Sequence, residues 1–282
     1  MTHPERLPRQ PGTIRIDADT ALFYRDWGQG RPLVFLAGWT LDAGMWDYQT
    51  VPLVEAGMRC IAYDRRGHGR STDPGRGYDY DTLADDLEAV LDALDLSGVT
   101  LVAHSFASGE VVRYLSRHGA RRVAGIVLLS PAATPYLLKT ADNPTGVDAS
   151  LFAASLEEMR VSFPDWIARR AEGYFSPGTS AAAIQWTADM MLRASFPGAV
   201  ELCRVQTSTD LRRELAAIDV PALILHGDCD ASAPLEVTGR PTAAALRHAL
   251  LKVYEGGTHG MYFNFAARVN EDIRAFVEGL HG

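Results

Sequence analysis

VTLVAHSFASG, residues 99–109, is the stretch that decides the fold of this 282-residue chain. The run Val99–Ala103 is short and apolar, which is typical of a buried strand, and a helical segment follows from Gly109 to His118. Ser105 stands between the two. A serine on a sharp turn from strand to helix is the usual place of a nucleophile above a parallel sheet. The simpler interpretation is a serine that caps the helix, where this residue type is favoured.

Outside this stretch, strand-like and helix-like segments alternate along the chain. The sequence predicts strands over residues 13–16, 21–27, 33–37, 59–64, 99–103, 123–129, 222–226 and 250–254, and helices over residues 82–94, 109–118 and 266–280. Buried strands separated by helices indicate an α/β fold with a mostly parallel central sheet and helices on both faces. In such sheets, ligands bind beyond the carboxyl ends of the strands.

The alternation is interrupted once. After Pro131 the chain continues with helical segments and Pro/Gly breaks, and the next strand begins only at Ala222. We therefore predict two parts. Residues 1–131 and 216–282 form the α/β core, and residues 132–215 form an inserted helical cap.

Composition narrows the class of protein. Hydrophobic residues make up 47% of the chain and charged residues 22%, as in ordinary globular domains. The net charge of −8 and the lack of a basic cluster argue against a nucleic-acid partner. Three cysteines without motif spacing argue against a disulfide framework and a Cys-rich metal site. With no apolar run of membrane length and no signal peptide, we expect a cytoplasmic protein without a membrane partner.

A serine nucleophile needs a histidine base and an acid that orients it. In this type of sheet the three follow in the order serine, acid, histidine. His259 fits the base because it lies in a glycine-rich loop directly after the last predicted strand, although a surface-loop histidine would look the same. Asp228 and Asp230 both follow the preceding strand. We favour Asp230, which lies further into the loop, and expect Asp228 to hold the turn.

The negative charge that develops on a carbonyl oxygen needs two N–H donors. The first candidate is the backbone N–H of Phe106, the residue after the predicted nucleophile. The second is the N–H of Trp39, which follows the strand at residues 33–37 and stands next to Gly38. The alternative for Trp39 is a side chain that only packs beneath the cap.

Large apolar side chains of the cap are candidates for the substrate pocket. Together with Trp39 we expect Trp166, Trp186 and Met190 to contact the substrate, and Met191 and Phe196 are further candidates. The alternative is that these cap residues form the hydrophobic core of the cap itself.

The sequence resembles a known family, the cofactor-free (non-haem) bacterial haloperoxidases, also called perhydrolases, with their relatives among aryl esterases and γ-lactamases. The matching motifs are Gly38-Trp39, Tyr63-Asp64-Arg65-Arg66-Gly67-His68-Gly69-Arg70-Ser71, Asp81-Thr82, Gly109-Glu110-Val111 and Ile218-Asp219-Val220-Pro221. The resemblance implies the α/β-hydrolase fold and a triad at Ser105, Asp230 and His259. It also implies oxyanion donors at Trp39 and Phe106, and neither metal nor haem. This chain departs from the family at Ala37, Ala103, Ala107 and Thr258.

These observations predict a serine hydrolase that cleaves a small carboxylic ester, lactone or amide through an acyl-enzyme, with perhydrolysis as a side activity. Two other functions stay open at this point. One is a triad-bearing receptor that binds a small ligand and a signalling partner. The other is a cofactor-free lyase or dioxygenase that uses only the His–Asp pair. Oligomeric state is also open, a homo-oligomer being one option.

Overall fold

In the computed structural model, which describes residues 9–132 and 138–280, eight strands form one sheet. The strands are β1 (Arg9–Arg15), β2 (Ala21–Gly28), β3 (Pro32–Leu36), β4 (Arg59–Tyr63), β5 (Val99–His104), β6 (Val123–Leu129), β7 (Ala222–Gly227) and β8 (Ala249–Tyr254). Their order across the sheet is β1-β2-β4-β3-β5-β6-β7-β8. Both neighbours of β2 pair with it in antiparallel fashion, and the remaining pairs are parallel. This arrangement confirms the predicted mostly parallel sheet.

Helices cover both faces of the sheet. Within the described residues they are α1 (Asp47–Glu55), α2 (Tyr80–Ala93), α3 (Ala107–His118), α4 (Ala149–Val161), α5 (Phe163–Tyr174), α6 (Ala181–Arg193), α7 (Phe196–Ser208), α8 (Arg212–Ala217), α9 (Gly239–Ala245), α10 (Met261–Asn264) and α11 (Ala266–Gly279). Alternate side chains of a strand point to opposite faces. Accordingly, Val34 and Leu36 join the hydrophobic cluster under α2 and α3, whereas Leu33 and Phe35 join the cluster under α1 and α11.

The predicted strands agree with the structure to within a few residues, but α1 was not predicted. This helix contains Pro52 and buries only Gln49 and Leu53, so its sequence lacks the regular apolar stripe of a surface helix. A 3₁₀ turn at Ala43–Trp46 precedes it and is fully buried. Both elements are held by tertiary packing that a local pattern does not reveal.

Helices α4 to α8 are inserted between β6 and β7, as predicted for a cap. Most of the cap has its own small core, in which Phe163 and Ile167 of α5 pack against Ala199 and Val200 of α7. Helix α8 lies at the predicted boundary near residue 215, and its Leu215 is buried in the core beneath the sheet. The exact division into core and cap stays a prediction.

Over residues 9–132 and 138–280, no helix combines the length and the apolar character that crossing a lipid bilayer requires.

Candidate active site

Ser105 lies on a strained turn at the carboxyl end of β5. Its backbone has a φ of +54°, a left-handed conformation that is costly for a residue with a side chain. The turn is held because the Ser105 N–H donates to the carbonyl of Leu129 on β6 over 2.9 Å. Ala103 and Ala107, which stand where glycine is usual, are both fully buried. Alanine is therefore small enough for the close packing around this turn.

The side chains of Ser105, His259 and Asp230 form one continuous chain of hydrogen bonds. His259 Nε2 lies 2.9 Å from Ser105 Oγ, and His259 Nδ1 lies 2.8 Å from Asp230 Oδ2. The other oxygen of Asp230 accepts the backbone N–H groups of Ser232 and Ala233 at 2.9 and 2.8 Å. All three triad side chains are buried. This is the geometry of a serine activated by an imidazole that a carboxylate orients.

The charge state of Asp230 suits that task. Burial alone would raise the pKa of this carboxyl, but the neighbouring His259, together with His226 and the Ala233 N–H, lowers the pKa to about 2. Asp230 is therefore ionised at neutral pH. An ionised carboxylate fixes the proton on Nδ1 of His259, so that Nε2 is free to accept the proton of Ser105.

Asp228 has a different role in the structure. Its Oδ1 accepts the backbone N–H of Gly256 over 2.7 Å, which ties the loop after β7 to the turn after β8. This is the local, turn-holding contact that aspartate commonly makes. The structure therefore brings Asp230, and not Asp228, to His259.

His104, the residue before Ser105, lies against the predicted base. Its Nε2 is 3.0 Å from the carbonyl oxygen of His259, and because a carbonyl only accepts, this nitrogen carries a proton. The two imidazole rings are 4.7 Å apart. Burial, with a contribution from His259, lowers the pKa of His104 to about 3, so the ring is neutral. No role for His104 was predicted, since nothing in the sequence shows that it reaches the His259 backbone.

The backbone N–H groups of Trp39 and Phe106 donate no hydrogen bond within the part of the chain that the structure describes. Both belong to segments fixed by a buried ion pair. Arg65 donates to the carbonyls of Ala37 and Gly38, at 2.7 and 3.3 Å, and pairs with Glu110 in the first turn of α3. The loop after β3 is thus tied to the helix that follows Ser105. That the backbone N–H groups of Trp39 and Phe106 form an oxyanion hole stays a prediction.

A cavity of about 490 Å³ contains Ser105 and His259 in its wall and extends under the cap. Of the residues predicted to contact the substrate, Trp39 and Trp166 line this cavity, as does Met191. Phe196 packs instead against Phe163 in the cap core, with ring centroids 5.2 Å apart.

Trp186 and Met190 lie elsewhere, in the wall of a second, polar pocket of about 280 Å³. The reason is the helical period of α6. Residues spaced by three and four positions share a face of a helix, and the face that lines the cavity consists of Ile184, Thr187, Ala188 and Met191. Trp186 and Met190 are four residues apart on a neighbouring face. The sequence predicted a lining helix but not which of its faces turns to the cavity.

Several residues that line the cavity were not predicted from the sequence. Tyr174 of α5 has its ring 5.2 Å from the ring of His259, and its carbonyl accepts the N–H of Gly260 over 2.7 Å. Phe152, Arg170 and Cys203 also line the cavity. They come from cap helices far along the chain from the triad, and only the folded cap brings them there.

No group of three or more His, Cys, Asp or Glu side chains is arranged to hold a metal ion among the residues that the structure describes.

Comparisons with known proteins place the whole chain among proteins of known fold. A model of the α/β-hydrolase fold matches residues 31–266. A non-heme chloroperoxidase of Kitasatospora aureofaciens is 43% identical over 265 residues, which cover 91% of this chain and 95% of the relative. A bifunctional esterase/perhydrolase of Acinetobacter calcoaceticus is 36% identical over 278 residues, covering 94% of this chain and 99% of the relative.

The fold is shared at full length with a solved structure, a bromoperoxidase from Bacillus anthracis. The two superpose with a TM-score of 0.91 at 34% identity, covering 95% of this chain and 100% of the other. The resemblance noted in the sequence is confirmed. The chain belongs to the α/β-hydrolase family, within its group of non-heme haloperoxidases and esterase/perhydrolases.

Proposed function

We propose that the protein hydrolyses small carboxylic esters through an acyl-enzyme on Ser105. Ser105 Oγ attacks the ester carbonyl while His259 Nε2 takes its proton, and His259 then returns that proton to the departing alcohol. Water then gives a proton to the same His259 and attacks the acyl-serine. Ser105 Oγ leaves with that proton from His259, and the acid is released. Asp230 stays ionised and stabilises the imidazolium that forms in each half of the cycle.

One observation carries this proposal above all. The hydrogen-bonded chain Ser105–His259–Asp230 opens into a cavity whose wall is mostly apolar and whose volume suits a small molecule. Small esters as substrates agree with the group to which the chain belongs, in which one relative is named an esterase/perhydrolase. The protein would act inside the cytoplasm, which stays an expectation from the sequence.

We propose further that Trp39 and Phe106 supply the oxyanion hole. Their N–H groups make no other hydrogen bond within the described residues, and both segments are held by the Arg65–Glu110 pair. Donors fixed before the reaction begins cost no reorganisation when the oxyanion forms. This favours the backbone, rather than a flexible side chain, as the source of both donors.

Perhydrolysis fits the same cycle. If hydrogen peroxide replaces water in the second step, its oxygen attacks the acyl-serine, Ser105 leaves with a proton from His259, and the product is a peracid. No electron leaves or enters the protein in this step. A released peracid can oxidise halide in solution, which accounts for haloperoxidase activity without a redox centre in the chain.

The test is hydrolysis of short p-nitrophenyl esters by the wild type, by Ser105→Ala and by a control, Ser208→Ala, whose side chain is exposed and outside the cavity. We expect Ser105→Ala to lose at least about 10⁴-fold in kcat, because triad members act as a unit, and Ser208→Ala to match the wild type. Activity that survives in Ser105→Ala would favour a lyase that uses only His259 and Asp230. No wild-type activity on any ester would favour a ligand receptor.

A further inference from the structure

The cavity above Ser105 is apolar near the triad and charged at another part of its wall. Among the described residues that line it, Arg169 and Arg170 of α5 are the only Asp, Glu, Lys or Arg side chains. The whole chain carries a net charge of −8, so this local excess of positive charge does not follow from composition. The cavity wall is therefore suited to hold a negative charge.

Arg170 is held in a defined position. Its guanidinium carbon lies 4.0 Å from the ring centroid of Trp166, and its Nη2 donates to Ser155 Oγ over 3.0 Å. Trp166 Nε1 donates to the same oxygen over 3.2 Å. Because Ser155 accepts two hydrogen bonds, its own O–H is left to donate. Arg170 and Ser155 thus present N–H and O–H donors side by side, and both line the cavity.

Glu158 is the carboxylate that would compete with a bound anion for the guanidinium groups of Arg169 and Arg170. Its Oε2 lies 3.7 Å from Arg170 Nη1 and 3.7 Å from Arg169 Nη2, and its side chain is about half exposed. An exposed pair at this distance is weak. A guanidinium has five N–H donors, so Arg170 keeps donors for an anion in the cavity while it contacts Ser155 and Glu158.

The position of Arg170 relative to His259 can be inferred from the geometry of α5. The ring of Tyr174 contacts the ring of His259, and Arg170 precedes Tyr174 by four residues on the same face of the helix. Four residues of α-helix span about 6 Å. The backbone of Arg170 therefore lies about one helical turn along α5 from that of Tyr174. Since Arg170 and Ser105 line the same cavity, an anion at Arg170 would be bound away from a carbonyl at Ser105.

We propose that this cavity selects esters that carry a carboxylate several bonds away from the scissile carbonyl, with Arg170 and Ser155 as the carboxylate site. This inference rests on the proposed ester hydrolysis. Arg170 is a specificity residue in it, since it binds the end of the substrate that does not react. The carboxylate can belong to the acyl part or to the alcohol part, and the two sources are separated by experiment.

The test compares matched ester pairs. On the acyl side, mono-p-nitrophenyl glutarate is compared with p-nitrophenyl valerate, and the adipate with the hexanoate. On the alcohol side, 4-acetoxybenzoate is compared with 4-methylphenyl acetate. The quantity measured is the ratio of kcat/KM for the anionic ester to that for its neutral partner, which cancels general damage to the active site.

We expect the wild type to favour the anionic member of at least one pair, and the favoured pair identifies the side of the ester that carries the charge. Arg170→Met keeps an aliphatic stem over Trp166 and should lower this ratio about 10- to 100-fold, the value of a charge-assisted hydrogen bond. Arg170→Lys, which keeps the charge without the planar fork, should give an intermediate ratio. Arg160→Met removes a cap arginine outside the cavity and should leave the ratio unchanged.

A second readout does not need turnover. Binding of glutarate can be followed by the change in tryptophan fluorescence, to which Trp166 beneath Arg170 contributes. This binding should weaken in Arg170→Met and at high ionic strength. Ser105-dependent hydrolysis with the same ratio in the wild type and Arg170→Met would overturn the inference. Failure to cleave any ester, with glutarate binding that still depends on Arg170, would overturn the proposed function and leave the carboxylate site standing. Loss of both would overturn both.

Discussion

Two aspartates follow β7, and their hydrogen bonds separate their roles. Asp230 accepts from His259 and from two backbone N–H groups, whereas Asp228 accepts from Gly256. From its place in the loop, Asp230 was predicted to be the acid that orients His259, and the structure adds the physical reason. Only the carboxylate that contacts Nδ1 can select the tautomer in which Nε2 accepts the serine proton.

Replacing Asp230 with asparagine should therefore lower kcat for ester hydrolysis by about 10⁴-fold, the loss known for the same change in a serine-protease triad. The amide has nearly the same shape but no longer favours the productive tautomer. Asp228→Asn is the matched control and should retain most of the activity, since its amide oxygen still accepts from Gly256. Equal losses in both variants would mean that the loop, and not the charge at Asp230, supports catalysis.

The triad was predictable from the sequence because strand order fixes which loops meet at the edge of a parallel sheet. Ser105, Asp230 and His259 each follow a strand whose apolar pattern is plain. Tyr174 and Arg170 were not predictable. Their place in the wall of the cavity depends on how α5 lies over the sheet, and the sequence pattern of α5 is equally compatible with a helix buried within the cap.

At the scale of secondary-structure elements, the loop after β3 and the turn at Ser105 are in close contact. A Cβ atom on Gly38 would lie 2.5 Å from His104 Nδ1, closer than real contacts allow. His104 cannot move away easily, because it is buried and bonded to the His259 carbonyl. Gly38 thus lets the predicted oxyanion loop approach the turn at Ser105.

For this reason Gly38→Ala should displace the Trp39 N–H and reduce kcat about 10²- to 10³-fold, as the loss of one oxyanion donor does. Steady-state kinetics on a short ester and a thermal unfolding curve would separate this effect from loss of the fold. Gly279→Ala is the control, because a Cβ there meets nothing within 4 Å. Wild-type kcat in Gly38→Ala would show that this loop does not stabilise the oxyanion.

The buried ion pair between Arg65 and Glu110 joins the same loop to α3. Glu110→Gln removes one charge and leaves the Arg65 guanidinium buried without its partner, which typically costs about 3–5 kcal/mol of unfolding free energy. Urea unfolding would measure this change. Arg117→Met on the same helix breaks only surface ion pairs, with Asp85 and Asp81, and should leave stability nearly unchanged. Equal stability of Glu110→Gln and the wild type would mean that the pair does not hold the loop.

The sequence pattern of a helix does not predict which of its faces turns towards a cavity. Helix α6 was expected to contribute to the pocket, but periodicity gives only the relative angle between side chains. Thr187 and Met191 face the cavity while Trp186 and Met190 face the second pocket. The absolute rotation of a helix is set by its partners in the fold. Helices of the cap pack partly against one another and not only against the sheet. The local sequence does not show which residues they contact.

At the scale of the whole molecule, buried neutral histidines link stability to pH. Burial, with Arg65 nearby, lowers the pKa of His68 to about 3, and burial with His259 nearby does the same for His104. In the unfolded chain both side chains titrate near 6.5. Between these values the unfolded state binds protons that the folded state does not, so stability falls as pH falls.

We therefore expect the free energy of unfolding to decrease as pH is lowered from about 6.5 towards 3, by up to about 1.4 kcal/mol per pH unit for each of these histidines. Urea unfolding at a series of pH values gives this slope. The amide of His68→Asn can still donate to the Arg66 carbonyl that Nδ1 of His68 contacts. In this variant the slope of unfolding free energy against pH should decrease by up to about 1.4 kcal/mol per pH unit, the contribution of one histidine. An unchanged slope would mean that His68 is protonated in the folded protein.

The central claim is that Ser105 is a nucleophile activated by His259 and Asp230. Its most direct test is mass spectrometry of the protein after treatment with diisopropyl fluorophosphate, in which serine oxygen attacks phosphorus and fluoride leaves. We predict one adduct per chain, on the peptide that contains Ser105, with loss of ester hydrolysis in step with labelling. An adduct on another residue, or an unlabelled Ser105 in protein that still hydrolyses esters, would contradict the claim.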